Sequence, residues 1–429
     1  MMPKRLPRSL TLALLLLLAT ARVLPAAEPV RHTILFQNVP SGEQSVTESD
    51  GVAKVVYSYR DNGRGPDLNE EIRVGPDGAM LGYNVTGKST FGAPVREKFT
   101  RRGDAVEWDS LADKGAKTVA GPAAYVPVEN SFETLAVVAR AVIRAPGMRL
   151  AALPAGELRA ERLIESVTLT TAGRAADVSL YALTGLGTQP RFIWLTHDAA
   201  LGFFAGLVPG SINVIAKGWE AQAPELEKLQ VRADSDWLRR LAAALGHRLP
   251  DPILIRNVRV FDSREARLNP PADVYIARGK IAAIYETGSV PRDAATVFDG
   301  AGLTLLPGLY DMHGHEDPWN ALLQIAGGVT SIRDLGNDNA TLAELTARID
   351  AGQSIGPRIH AAGFLEGESP FSSRGGIVVK SLDEAKNAVD WYAQHGFHQI
   401  KIYNSFRPEW VEATTAYAHR RGLRVSGHI

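Results

Sequence analysis

Two histidines one residue apart, His313 and His315 in PGLYDMHGHE (307–316), stand out in a chain with ten histidines and no cysteine. The apolar run before them reads as a β-strand, in which residues two apart share a face and lie about 6.5–7 Å apart along the strand. Two imidazoles so placed can hold one ion between them. With no thiolate available, a metal here must be bound by imidazole, carboxylate or a modified side chain. The plainer alternative is a pair of exposed loop histidines. Strand position and the neighbouring acids Asp311, Glu316 and Asp317, expected to brace the rings from behind, favour metal.

Lys401 is the next informative residue. In QIKIYN (399–404) it sits between two isoleucines, and an ammonium buried there without a partner is costly, so its pKa should fall toward neutrality. A neutral amine takes up carbon dioxide as a carbamate, an anionic ligand with two oxygens able to bridge two divalent ions. The alternative is a side chain that points outward and snorkels to water. His428, at the end of RVSGHI (424–429), is weak evidence alone, and Tyr403 shares a strand face with Lys401 as a candidate substrate contact. Arg333 and Asp334 in SIRDLG end another strand and are expected to pair with each other around a barrel mouth rather than bind substrate. His197, beside Asp198, and His360, His395, His398 and His419 are expected in packing or solvated positions.

These side chains need a scaffold, and the pattern after residue 307 supplies one. Helix-like segments alternate with short apolar ones: PWNALLQIAGG, VTSIRDLG, TLAELTARIDAG, PRIHAAGF, SLDEAKNAVDWYAQHG, QIKIYN, RPEWVEATTAYAHRRG, RVSGHI. Such alternation implies parallel strands with right-handed helical crossovers. Five strands and four helices fit residues 303–429, a little over half of a (β/α)8 TIM-type barrel, whose functional side chains gather at the C-terminal strand ends. The last strand has no helix after it, which reads as a fragment of a longer protein.

Earlier segments read differently. Residues 28–222 form a β-rich N-terminal domain with one helical interruption at 131–145, residues 223–250 a helical linker, and residues 251–306 part of a small β-sandwich with a tight turn at RGK (278–280). Residues 1–27 carry Lys4, Arg5 and Arg8 ahead of about eleven apolar residues and then small residues, the pattern of a signal peptide rather than of a membrane span. The product is therefore expected to be exported, periplasmic or secreted. Basic and acidic residues number 47 each, so no net field recruits nucleic acid or an anionic membrane, and a small-molecule partner is expected.

PGLYDMHGH, GGVTSIRDLG, PRIHAAGF, QIKIYNS and RVSGHI together resemble the amidohydrolase superfamily, closest to its exported metal-dependent branch that includes prolidase-like dipeptidases; the resemblance runs from about residue 253 onward. It implies that His313 and His315 hold the more buried of two divalent ions, zinc by expectation, that Lys401 is the carboxylated lysine bridging both, and that His428 serves the second. The family's sixth-strand histidine and its eighth-strand aspartate, the general base, have no counterpart in this sequence, so the catalytic residue is unassigned and the polypeptide as it stands is expected to be inactive. For the intact protein the implied reaction is hydrolysis of an amide, dipeptide-like, or ester bond. The alternatives are an envelope ligand-binding protein with a degenerate barrel, and a single-metal deaminase.

Overall fold

The computed structural model describes residues 28–428 except 62, 77, 290–293 and 374. The signal peptide expected at 1–27 lies outside the described residues. Among those residues no helix is long and apolar enough to cross a membrane.

The N-terminal half is one fifteen-stranded sheet. Two meanders of sequential strands meet where the first strand, Val30–Phe36, pairs antiparallel with the last, Ile212–Ala216. Its strands alternate as a one-sided sheet demands: in Asp67–Val74, Leu68, Glu70 and Ile72 are buried while Asn69, Glu71 and Arg73 face water. Helix Phe132–Arg144 fills the covered face with Ala136, Val137, Ala139 and Val142. Two inward carboxylates hold the segment that leads into it. Glu70 accepts from the Ser131 amide (2.6 Å), the Ser131 hydroxyl (2.6 Å) and the Thr134 hydroxyl (2.6 Å). Glu97 accepts from the Tyr125 hydroxyl (2.6 Å) and the Val128 amide (3.0 Å). Burial pushes both carboxyls above their ordinary pKa, and the donors partly offset the shift.

Helix Ala223–Leu245 follows and ends at Gly246, whose extended backbone returns its N–H to the Ala242 carbonyl. Leu226 packs with Trp194, Phe204 and Trp219 of the large sheet. The next sheet is small and built on Ile253–Asp262, with Arg267–Ala277 and Lys280–Glu286 joined by a turn in which Arg278 and Gly279 both have positive φ. That is the two-residue hairpin geometry that matches strand twist.

Five parallel strands then line up in chain order: Leu309–Gly314, Val329–Asp334, Arg358–Gly367, Gln399–Ile402 and Arg424–Gly427. Helices Pro318–Ala326, Asn339–Asp350, Leu382–Gln394 and Pro408–Arg420 connect them, the first three capped by Asp317, Asp338 and Ser381. This is a partial TIM-type barrel after a large β-rich domain, the architecture expected from sequence. A short strand, Ile377–Val379, was not anticipated; it pairs with Arg358–Gly367 and is too brief to show a period. Sheet and helices approach closely at Gly363, where a Cβ would lie 2.3 Å from the Tyr392 ring.

Candidate functional site

His313 lies one residue before the end of the first barrel strand, and His315 one residue past it. Their rings stand edge to face with centroids 5.5 Å apart. The Nδ1 of His315 is 2.7 Å from the carbonyl oxygen of Gly336. A carbonyl only accepts, so Nδ1 carries the proton and Nε2 keeps its lone pair free.

The acids around the pair do not brace the imidazoles, which corrects the expectation from sequence. Asp311 accepts from the backbone amide of His313 (3.0 Å) and from Gln324 (3.0 Å), so it stiffens the chain and not the ring. Asp317 caps a helix, taking the amides of Trp319 (2.8 Å) and Asn320 (3.0 Å). Glu316 turns inward and is 3% exposed, with no hydrogen-bond partner for either carboxyl oxygen among the described residues. Burial first, then the charges of Asp317 and Asp334, push its carboxyl up to about 7.

The expected Arg333–Asp334 pair is not formed. Adjacent strand residues point to opposite faces, so Asp334 is fully buried and accepts from the amides of Glu316 (2.7 Å) and Gly336 (3.0 Å) and from Asn337 (3.0 Å). It fixes the turn that carries His315. Arg333 donates instead to the carbonyl of Met312 (2.8 Å).

Lys401 faces the barrel interior. Its neighbours Ile400 and Ile402 pack with Val389, Tyr392 and Ala418 beneath the helices, which sends the intervening side chain to the other face, in register with Phe364 and Ser426. It is 4% exposed and has no hydrogen bond or ion pair among the described residues. Burial holds its pKa below the ordinary lysine value, and the Arg333 charge adds to that. The same field reaches His313, whose pKa is lowered by desolvation and then by Lys401 and His315. The outward, snorkelling alternative for Lys401 is thereby removed.

His428 sits just past the fifth strand, its Nδ1 2.5 Å from Asn404 Oδ1 and its ring 4.8 Å from that of Tyr403. Tyr403 in turn packs on Phe364 with ring centroids 4.8 Å apart. The structure thus joins His313 to His315, turns Lys401 toward the same interior, and groups His428 with Tyr403. Among the described residues no three His, Asp or Glu side chains form a metal-holding group.

The remaining histidines split. His197 is structural, its Nδ1 2.8 Å from the Ser179 hydroxyl. His360 and His398 are ring neighbours at 5.6 Å, with Tyr310 stacked 5.5 Å from His360 on its strand-one side. Glu316 is the residue that sequence reasoning undervalued. Its position directly after HGH was the available signal, but burial in a loop has no periodic signature.

An adenine deaminase of Chelativorans sp. (strain BNC1) is 36% identical to this chain over 90 residues, which are 21% of this chain and 15% of that protein. A dihydroorotase of Thermus aquaticus is 35% identical over 127 residues, 26% of this chain and 28% of that protein. Among solved structures, a bottromycin amidohydrolase aligns with a TM-score of 0.36 at 26% identity, covering 45% of this chain and 41% of that one. The chain spans less than a third of the length of these two sequence relatives. No family model matches it. Parallel strands that carry histidine and lysine at their ends and inner face define a partial TIM-type barrel. The half-barrel of this chain is a partial amidohydrolase-superfamily barrel, related to the dihydroorotases and adenine deaminases.

Proposed function

We propose that the barrel serves a metal-dependent hydrolase that opens the carbon–nitrogen bond of a small amide, dipeptide-like in kind, with two divalent ions, zinc by preference. The observation that carries this is Lys401, an inward amine with neither counter-ion nor hydrogen bond among the described residues, whose protonated form is disfavoured by burial and then by the Arg333 charge. A lysine in that state is ready for carbamylation. Its nitrogen lone pair bonds to the carbon of carbon dioxide, one carbon–oxygen π pair moves to oxygen, and the nitrogen releases a proton to water.

Imidazole nitrogen and carbamate oxygen are donor types that suit a divalent ion. The Gly336 carbonyl commits Nδ1 of His315, and Asn404 commits Nδ1 of His428, so each ring offers Nε2. His313, His315 and the carbamate of Lys401 would hold the ions, with His428 serving the second. An ion held there supplies Lewis acidity toward a water and toward the substrate carbonyl. The protein's own work is positioning. Asp334 fixes the His315 turn through the Glu316 and Gly336 amides, and Tyr403, wedged between Phe364 and His428, offers a hydroxyl without a partner among the described residues to orient a substrate group. The export pattern of residues 1–27 accompanies this reading and implies a substrate met outside the cytoplasm.

Metal analysis with native mass spectrometry in bicarbonate is the test. About two metal equivalents and one added carbon dioxide that disappears in Lys401→Met support the proposal. One equivalent without the adduct moves the assignment to a single-metal deaminase, the chemistry named for the Chelativorans relative. No bound metal ends it.

A further inference from the structure

The turn that carries His315 is held from two sides, and the second side belongs to the β-rich domain. From within the barrel, Asp334 takes the Glu316 amide at 2.7 Å. From outside, Gln189, in the connection between strands Arg174–Thr184 and Arg191–Thr196, reaches across more than a hundred residues of sequence. Its Nε2 donates to Asn320 Oδ1 at 2.7 Å and to the Asp317 carboxylate at 3.2 Å. Asp317 lies two residues after His315 and caps helix Pro318–Ala326 with its other oxygen.

The contact is not isolated. Trp319 donates to Asp234 of helix Ala223–Leu245 at 2.9 Å, and its ring meets Trp237 edge to face at 5.2 Å. Arg348 of the barrel donates to the Ser235 hydroxyl at 2.8 Å. The β-rich domain and its trailing helix are therefore built onto the start of the first barrel helix.

We propose that Gln189 is a positioning residue for the His313–His315 pair, so that the β-rich domain is a working part of the metal site and not a separate recognition module. The inference rests on the metal reading above. An amide suits the task because one NH2 group satisfies the Asp317 carboxylate and the Asn320 carbonyl together without adding charge beside the buried Glu316. Loss of that group frees the cap to rock, and the imidazole two residues earlier moves with it. Side chains behind metal ligands matter to affinity through this kind of orientation.

The test is hydrogen–deuterium exchange on the metal-free full chain, paired with zinc titration, for Gln189→Ala, Asn320→Ala and the neighbouring control Thr188→Ala. Faster exchange across 313–322 in the first two variants, with 399–402 and the β-rich strands unchanged, together with about tenfold weaker zinc binding, is the expected result. Thr188→Ala should behave as the parent. Should Gln189→Ala fail to fold, Asn320→Ala breaks the same bond from the barrel side. Unchanged exchange, or unchanged zinc affinity in a parent that binds zinc, overturns the inference. A parent that binds no zinc while the exchange effect persists overturns the metal reading and leaves only a clamp between domains.

Discussion

Asp234 makes the contact between helix and barrel pH-dependent, and Asp234→Asn exposes the dependence. Its carboxyl is raised from 3.8 to about 6, first by burial, while the Trp319 hydrogen bond and the Arg348 charge oppose the shift and Asp317 adds to it. Between those two values the folded state binds more protons than the unfolded chain, so stability falls as pH rises from about 4 to about 6 and is level above that. Folded and unfolded pKa values stand roughly two pH units apart, which at about 1.4 kcal/mol each comes to about 3 kcal/mol. Asp234 is not fully sealed from water, so about 2 kcal/mol is the figure to test. Asparagine keeps an oxygen for the Trp319 indole and removes the charge. Urea unfolding followed by tryptophan fluorescence should show parent and variant alike near pH 4, and the variant more stable by about 2 kcal/mol at pH 7. A difference that stays constant across that range, or a variant less stable at pH 7, refutes the reasoning, the latter because it would mean that the Arg348 attraction outweighs desolvation.

Lys401→Met is expected to raise the unfolding midpoint of the metal-free protein by removing a buried amine that has no partner among the described residues, and to abolish zinc binding by equilibrium dialysis. Ser131→Ala deletes both the cap of helix Phe132–Arg144 and a donor to buried Glu70, and should cost about 2–3 kcal/mol in chemical denaturation. Gly363→Ala would place a Cβ 2.3 Å from the fully buried Tyr392 ring, and a loss of about 3 kcal/mol in thermal unfolding is expected.

The alternation of apolar strands and helices after residue 307 was open in the sequence because each element shows its period within a few residues, and so was the earlier tight turn at Arg278–Gly279; the cap made by Asp317 was misread as a brace for the imidazoles. The pairing of His313 with His315 was equally local. The phase of Lys401 was not, since a strand of four residues reads the same whichever face is buried, and it was Val389, Tyr392 and Ala418 closing over Ile400 and Ile402 that turned the amine inward.

The amino-acid order alone determined which elements form and which side chains hold lone pairs suited to a metal, because propensity, capping and strand period act over a few neighbours. Only tertiary structure decided what surrounds those side chains. Asp334 went to backbone amides and not to Arg333, Glu316 was buried without a donor among the described residues, and Gln189 arrived from a separate domain to hold Asp317. Burial and hydrogen bonding between distant segments arise when surfaces meet, and no local window of sequence contains both partners.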